Sequence, residues 1–230
     1  MPNKVDLSEV ISLTRELVRI PSENPSGTEI QIGEYVFRWF KNEGLDTWKE
    51  PVEAGRFNVI ARLTGKDKKA LPLIWLAHLD TVPAGAGWTV DPFGGDIKDG
   101  LLFGRGSADM KGGLAAAMVA LRDLSKEVKK PKGDLILIAT VDEEGQEMKG
   151  AKTVFENEWV DKNSYLVAIE PSGLKIMPAH KGPNWYRLKT YGKMAHAGKP
   201  EAGVDAIHLM SEILVNLKEL VNGLPYNDQL

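Results

Sequence analysis

The sequence predicts an α/β fold: a mostly parallel sheet with flanking helices. Segments of helical period alternate with short strand-like segments up to about residue 170, the pattern of a layered α/β domain. One strand segment, Leu71 to Ala77, is a continuous apolar run, as expected of a strand covered on both faces. Clusters of acidic and imidazole side chains follow the ends of the predicted strands, where ligand sites gather in folds of this class.

Asp6 to Ile20 is the first expected helix, with Asp6 as N-cap, Glu9 three residues on, and Val10, Leu13 and Leu17 on one stripe. The Pro/Ser/Gly segment IPSENPSGTE then reads as a loop. A second helix is expected from Thr28, with Gln31 completing a capping box. It carries Ile32, Tyr35, Val36, Trp39 and Phe40 and stops at Gly44. Strands are expected at Thr47 to Val52, Asn58 to Leu63, Leu71 to Ala77, Asp134 to Val141 and Tyr165 to Ile169. Helices are expected at Gly112 to Leu124 and Lys149 to Trp159.

The character of the chain changes near residue 180. Trp185 to Tyr191 (WYRLKTY) alternates like a half-exposed strand, GKMAHAGKPEAG is a polar loop, and Val204 to Val221 is a patterned helix. The expected division is therefore a first domain at 1–179 and the beginning of a second, α+β in kind, at 180–230. One strand and one helix cannot cover a sheet or its edges, so this second domain is expected to be incomplete.

With 43% hydrophobic and 27% charged residues, the 230-residue chain has the balance of a soluble globular protein. A net charge of −3 gives no reason to expect a nucleic-acid or membrane partner. The N-terminus lacks the apolar run of a signal peptide, which points to the cytoplasm. The absence of cysteine fits that compartment and leaves any metal to His, Asp and Glu.

Four motifs carry the candidate chemistry: HLDTVP with His78 and Asp80, GRGSADMKGG with Asp109, VDEEGQEMKG with Glu143 and Glu144, and AIEPSG with Glu170. Imidazole nitrogen and carboxylate oxygen are the ligands of zinc-class divalent ions. A hydrolytic site with two ions about 3.5–4 Å apart needs a carboxylate that bridges them. It also needs a carboxylate free of metal to take the proton of the attacking water. An adjacent Glu pair suits that division, one ligating while the other faces the water. In His-x-Asp the acid can reach the imidazole it follows and fix its orientation. The Gly-rich segment is no nucleotide site, because Asp109 stands where GxGxxG needs its third glycine and GK[ST] is missing.

These motifs, in this order, resemble the metallopeptidase family that includes acetylornithine deacetylase, succinyl-diaminopimelate desuccinylase, aminoacylase and glutamate carboxypeptidase. The likeness runs from about residue 8 to about residue 217. It implies a catalytic domain like that of the zinc peptidases, followed by the start of a lid, or dimerisation, domain. It implies that His78 and Glu170 bind a first metal, Glu144 a second, and that Asp109 bridges them with a cis peptide after it. Asp80 would orient His78, and Glu143 would be the general base. His196, in YGKMAHAGKPEAGVDAI, matches a histidine that helps hold the oxyanion in the partner's site of dimeric relatives. His180 and His208 receive no role.

The resemblance thus implies a metal-dependent hydrolase of N-acyl amino acids or short peptides, with two divalent ions (zinc, or else cobalt or manganese) and a homodimeric full-length form. Deacylase and dipeptidase or carboxypeptidase activity remain alternatives. The family's last ligand, a histidine, lies near the C-terminus of a longer chain, so a fragment is expected here. An inactive metal-binding or interaction module is then a third alternative.

Overall fold

The computed structural model describes residues 6–145, 147–180, 182 and 186–225. The chain divides into two compact units, 1–174 and 175–230.

The first unit opens with α1 (Leu7–Val18), whose N-cap Asp6 accepts a hydrogen bond from the Ser8 amide at 2.9 Å. Its stripe buries Leu13, Leu17 and Val18. The second helix, α2 (Ile30–Asn42), starts two residues later than the expected Thr28. Its N-cap is Glu29, which makes no side-chain capping bond. The capping box fails because Glu29 is buried and its carboxylate pairs with Arg56, while the Thr28 hydroxyl donates to the Glu23 carbonyl. The helix ends before Gly44, which takes φ 78° as a helix-ending glycine does.

Five strands form the central sheet: β1 (Asp46–Glu53), β2 (Arg56–Leu63), β3 (Leu73–His78), and two later strands, here β6 (Leu135–Thr140) and β7 (Tyr165–Ala168). Their order is β1-β2-β6-β3-β7. The β1/β2 and β2/β6 pairings are antiparallel and the β6/β3 and β3/β7 pairings parallel. Hence β1, β6, β3 and β7 run one way and only β2 runs against them. A separate hairpin joins β4 (Asp96–Lys98) and β5 (Leu101–Phe103) through Asp99 and Gly100, both at positive φ (52° and 77°). That is the geometry of a two-residue Asp-Gly turn.

Helices α3 (Gly112–Lys126) and α4 (Lys149–Glu156) complete the unit. The apolar run of β6, LILIA before Thr140, follows from its position between two layers. Leu135, Leu137 and Ala139 join the core formed with α1, α2 and α3. Ile136 and Ile138 face the other way, into a smaller cluster with Ile60, Ile74, Val154 of α4 and Val160. Successive side chains of a strand alternate faces, so a strand covered on both must be apolar at every position. Each such side chain, fully buried, contributes about 1.5–3 kcal/mol.

In the second unit, α5 (Ala206–Asn222) is capped by Asp205, whose carboxylate accepts from the amides of Ile207 (2.8 Å) and His208 (3.1 Å). Lys193 and Val204 form an isolated antiparallel bridge, and Pro200–Ala202 is a short 3-10 turn. The strand expected at 185–191 is corrected: residues 186–191 are not paired as a strand, and Trp185 lies outside the described residues. Alternation gives a segment the pattern of a strand, but only a neighbouring strand makes it one. No helix among the described residues is long and apolar enough to cross a membrane.

Candidate metal centre

The parallel strands β3, β6 and β7 end side by side, and the acidic motifs follow those ends. His78 is the last residue of β3 and pairs in register with Thr140, the last of β6. Glu143 and Glu144 follow β6, and Glu170 lies just beyond β7. Asp109 comes from elsewhere, a kinked turn at Ser107–Lys111 that leads into α3 and in which its own backbone is extended (φ −120°, ψ 98°). Its peptide bond to Met110 is cis.

That turn is tied to the site from three sides. Met110 is buried and its sulfur accepts the His78 amide at 3.0 Å. The Lys111 amide donates to the Gly106 carbonyl at 2.8 Å. The Lys111 ammonium, also buried, donates to the Ile20 carbonyl, two residues past α1, again at 2.8 Å. Burial lowers the Lys111 pKa to about 7, against the opposing charges of Glu23 and Asp80.

Nε2 of His78 lies 3.1 Å from Oδ1 of Asp109, and 3.9 Å from carboxylate oxygens of both Glu143 and Glu170. One ligand atom from each of His78, Asp109 and Glu144 falls within 4.8 Å of the others. The imidazole is 1% exposed, whereas the Asp109 side chain is 53% exposed, so the cluster has a protein floor and a mouth open to solvent.

Asp80 does more than the His-x-Asp spacing suggests. Nδ1 of His78 faces the Asp80 backbone carbonyl at 2.9 Å, with the carboxylate farther off at 3.7 Å. The carboxylate instead accepts the amides of Glu143 (3.1 Å) and Glu144 (2.9 Å) and a side-chain N–H of Asn24. One residue thus sets both the imidazole and the acidic loop.

The electrostatics describe an unbalanced anionic pocket. Burial raises the carboxyl pKa values of Asp80, Glu143, Glu144 and Glu170, and His78 works against that rise in all four. For Glu143, Glu144 and Glu170 the neighbouring carboxylates add to the rise. Asp109 is the exception: its hydrogen bond to His78 holds it below the usual carboxylate range. For His78, burial favours the neutral ring, but the Asp109 hydrogen bond and the charges of Asp80, Glu170 and Glu143 outweigh it and raise the pKa to about 9. Buried like charges disfavour one another until a cation shares them. The donor chemistry, one imidazole among several carboxylates, therefore fits divalent ions of the zinc class.

Residues 74–222 match the model of peptidase family M20/M25/M40. The chain belongs to this family. It is 34% identical over 222 residues to a probable succinyl-diaminopimelate desuccinylase of Staphylococcus aureus (strain MRSA252), covering 96% of this chain and 53% of the relative. It is 35% identical over 230 residues to an acetylornithine deacetylase of Pectobacterium carotovorum subsp. carotovorum (strain PC1), covering 96% and 58%. The structure of a tripeptidase from Staphylococcus aureus superposes with a TM-score of 0.61 at 22% identity, over 92% of this chain and 56% of that one. The fold is thus that of M20 catalytic domains, and the chain spans about half the length of the curated relatives it matches. Membership makes it a chain of a hydrolase family.

The structure brings His78, Asp80, Asp109, Glu143, Glu144 and Glu170 into one cluster. His196 belongs to the second unit, where it is exposed and its Nδ1 accepts the Gly198 amide at 3.0 Å. His208 sits exposed on α5, 3.3 Å from Glu212 one turn on. The sequence reading missed Asn24, Glu29, Arg56 and Asp142, whose polar side chains lie buried behind the acidic loop. The one sequence signal for Asn24 was its place, ahead of a proline in the loop after α1.

Proposed function

We propose that this chain is the metal-binding half of a cytoplasmic enzyme that hydrolyses the amide bond of an N-acyl amino acid, in the manner of a desuccinylase or deacetylase. The supporting observation is the convergence of His78, Asp109 and Glu144 within 4.8 Å, with Glu143 beside them. His78 and Glu170 would hold one ion, Glu144 a second, and Asp109 both. Zinc suits these ligands best, and cobalt or manganese would fit the same donors. Bound ions would supply Lewis acidity, easing both loss of a proton from water and attack on the carbonyl.

Every other step falls to the chain's own residues. Asp80 orients His78 through its carbonyl and the Glu143–Glu144 loop through its carboxylate. Glu143, its pKa raised by burial, accepts the proton of the attacking water and delivers it to the leaving amine. His196, from a lid domain that begins in the second unit, would donate to the oxyanion of a partner's site in a homodimer.

Metal content per chain after zinc loading and desalting tests this reading, for the wild type and for Asp109→Ala. The expected result is zinc retained by the wild type and lost by the variant, with hydrolysis of N-succinyl or N-acetyl amino acids by the parent-length protein. No zinc retained by the wild type would overturn it. Hydrolysis of dipeptides in place of N-acyl amino acids would move the substrate class to peptides.

A further inference from the structure

Behind the acidic loop, five separate chain segments meet through charged and amide side chains. Arg56 opens β2 and is 9% exposed, and Glu29, at the start of α2, is fully buried. The guanidinium bonds both Glu29 oxygens, with Nε donating to Oε2 at 3.0 Å. It also donates to Asp142 Oδ1 at 3.1 Å and to Asn24 Oδ1 at 3.2 Å. Glu29 in turn accepts the Asp142 amide at 3.3 Å and an Asn24 amide hydrogen at 3.0 Å.

Asn24 is the connector. Its backbone is held beside the strand extension after β3: its amide donates to the Thr81 carbonyl at 2.8 Å, and the Thr81 amide donates to the Ser22 carbonyl at 3.0 Å. Both hydrogens and the oxygen of its side chain are engaged. The oxygen accepts from Arg56, and the nitrogen donates to Glu29 and to Asp80. Asp80 then accepts the amides of Glu143 and Glu144. Arg56 thus reaches the start of the acidic loop at Asp142, directly and through Glu29, and reaches its Glu143 and Glu144 amides through Asn24 and Asp80.

Stability alone is a poor reason for such a cluster. A buried ion pair roughly balances its desolvation, and apolar residues of similar volume stabilise as well or better. What an arginine–carboxylate fork and a fully bonded amide add is fixed geometry. Here that geometry ends on the two backbone amides of the Glu143–Glu144 pair.

We propose that Asn24, oriented by the buried Arg56–Glu29 pair, is a positioning residue: through Asp80 it fixes the loop that presents Glu143 and Glu144. The importance of that loop rests on the metal-centre reading, but the positioning itself does not.

Two measurements on Asn24→Ala and Asn24→Asp test this, with Asn24→Ser standing in for either should it fail to fold. Asn24→Asp keeps the shape but turns both donors into acceptors facing Glu29 and Asp80. The first measurement is amide hydrogen exchange of the metal-free chain. Exchange at Glu143 and Glu144 should quicken at least about tenfold while the β6 amides keep their rates, because only the loop is released. The second is cobalt affinity, expected to fall about 10- to 100-fold, the usual consequence of losing support behind a metal ligand. Unchanged exchange at Glu143 and Glu144, or a uniform quickening that includes β6, would overturn the proposal. If the wild type binds no cobalt yet the variants release those two amides selectively, the metal-centre reading fails and the positioning role stands.

Discussion

Nε2 of His78 and Oδ1 of Asp109 stand 3.1 Å apart, although the first ends a sheet strand and the second lies 31 residues later in the turn before α3. Around that contact stand further carboxylates: oxygens of Glu143 and Glu170 lie 3.9 Å from the same nitrogen, and Glu144 offers a ligand atom within 4.8 Å of His78 and Asp109. A ligand that binds only this folded arrangement stabilises it. Free metal at about a hundredfold over its Kd adds about 2.7 kcal/mol. For a chain of this size that is about 5–10 °C in Tm. Chelation should lower the Tm of the zinc-loaded wild type by that amount and leave His78→Ala unchanged. Equal melting of the wild type with and without chelator would show that no metal is held there.

The proposed mechanism gives the neighbours Glu143 and Glu144 different tasks. Glu143→Gln keeps the volume but replaces one carboxylate oxygen with an amide NH2 and cannot accept a proton, so kcat of the parent-length enzyme should fall about 10²- to 10⁴-fold. Zinc content should remain that of the wild type. Retention of full kcat would remove Glu143 from the role of base, and loss of zinc would instead make it a ligand.

Gly106 sits at φ 83° at the entrance to the Asp109 turn, and a Cβ there would come within 2.6 Å of the Thr81 methyl and 3.1 Å of the Lys111 side chain. A side chain at positive φ with such neighbours costs about 1–3 kcal/mol. Gly106→Ala should lose that much in denaturant unfolding and should bind zinc more weakly, because Asp109 rides on the turn. An unaltered denaturation midpoint would show that Thr81 and Lys111 yield freely.

Arg122 on α3 grips Glu9 on α1 through two hydrogen bonds, and these hold the Glu9 carboxyl below its usual pKa. A depressed acid contributes stability above its unfolded pKa and loses it as pH falls through the folded value. Glu9 is 40% exposed, so the effect is at most about 1 kcal/mol. Glu9→Gln should therefore be less stable than the wild type at pH 7, and the gap should close under acid conditions. A gap independent of pH would assign it to packing.

How much could be read beforehand depended on how local the signal was. The stripe of Leu13 and Leu17, the apolar runs of β3 and β6, and the motifs around His78, Asp109, Glu143 and Glu170 are all legible over a few residues. The β4–β5 hairpin was not read, because its three-residue strands are too short to show a period. The Thr28 cap was misread because a capping box is a local rule, and the tertiary pairing of Glu29 with Arg56 overrode it.

The sequence by itself determined which side chains can serve as ligands and base, because chemistry resides in residue type, and that they follow strand ends, because period and motif are local. Only the tertiary structure decided that β7 pairs with β3 while β2 reverses beside β6. It also decided that Asp80 gives its carbonyl to His78 and its carboxylate to the Glu143–Glu144 amides. Arg56, Glu29 and Asn24 became part of the site in the same way. Their contacts span between 5 and 86 positions of the chain. Nothing in a residue's neighbours along the sequence specifies a partner that only packing of the sheet and helices brings within hydrogen-bonding distance.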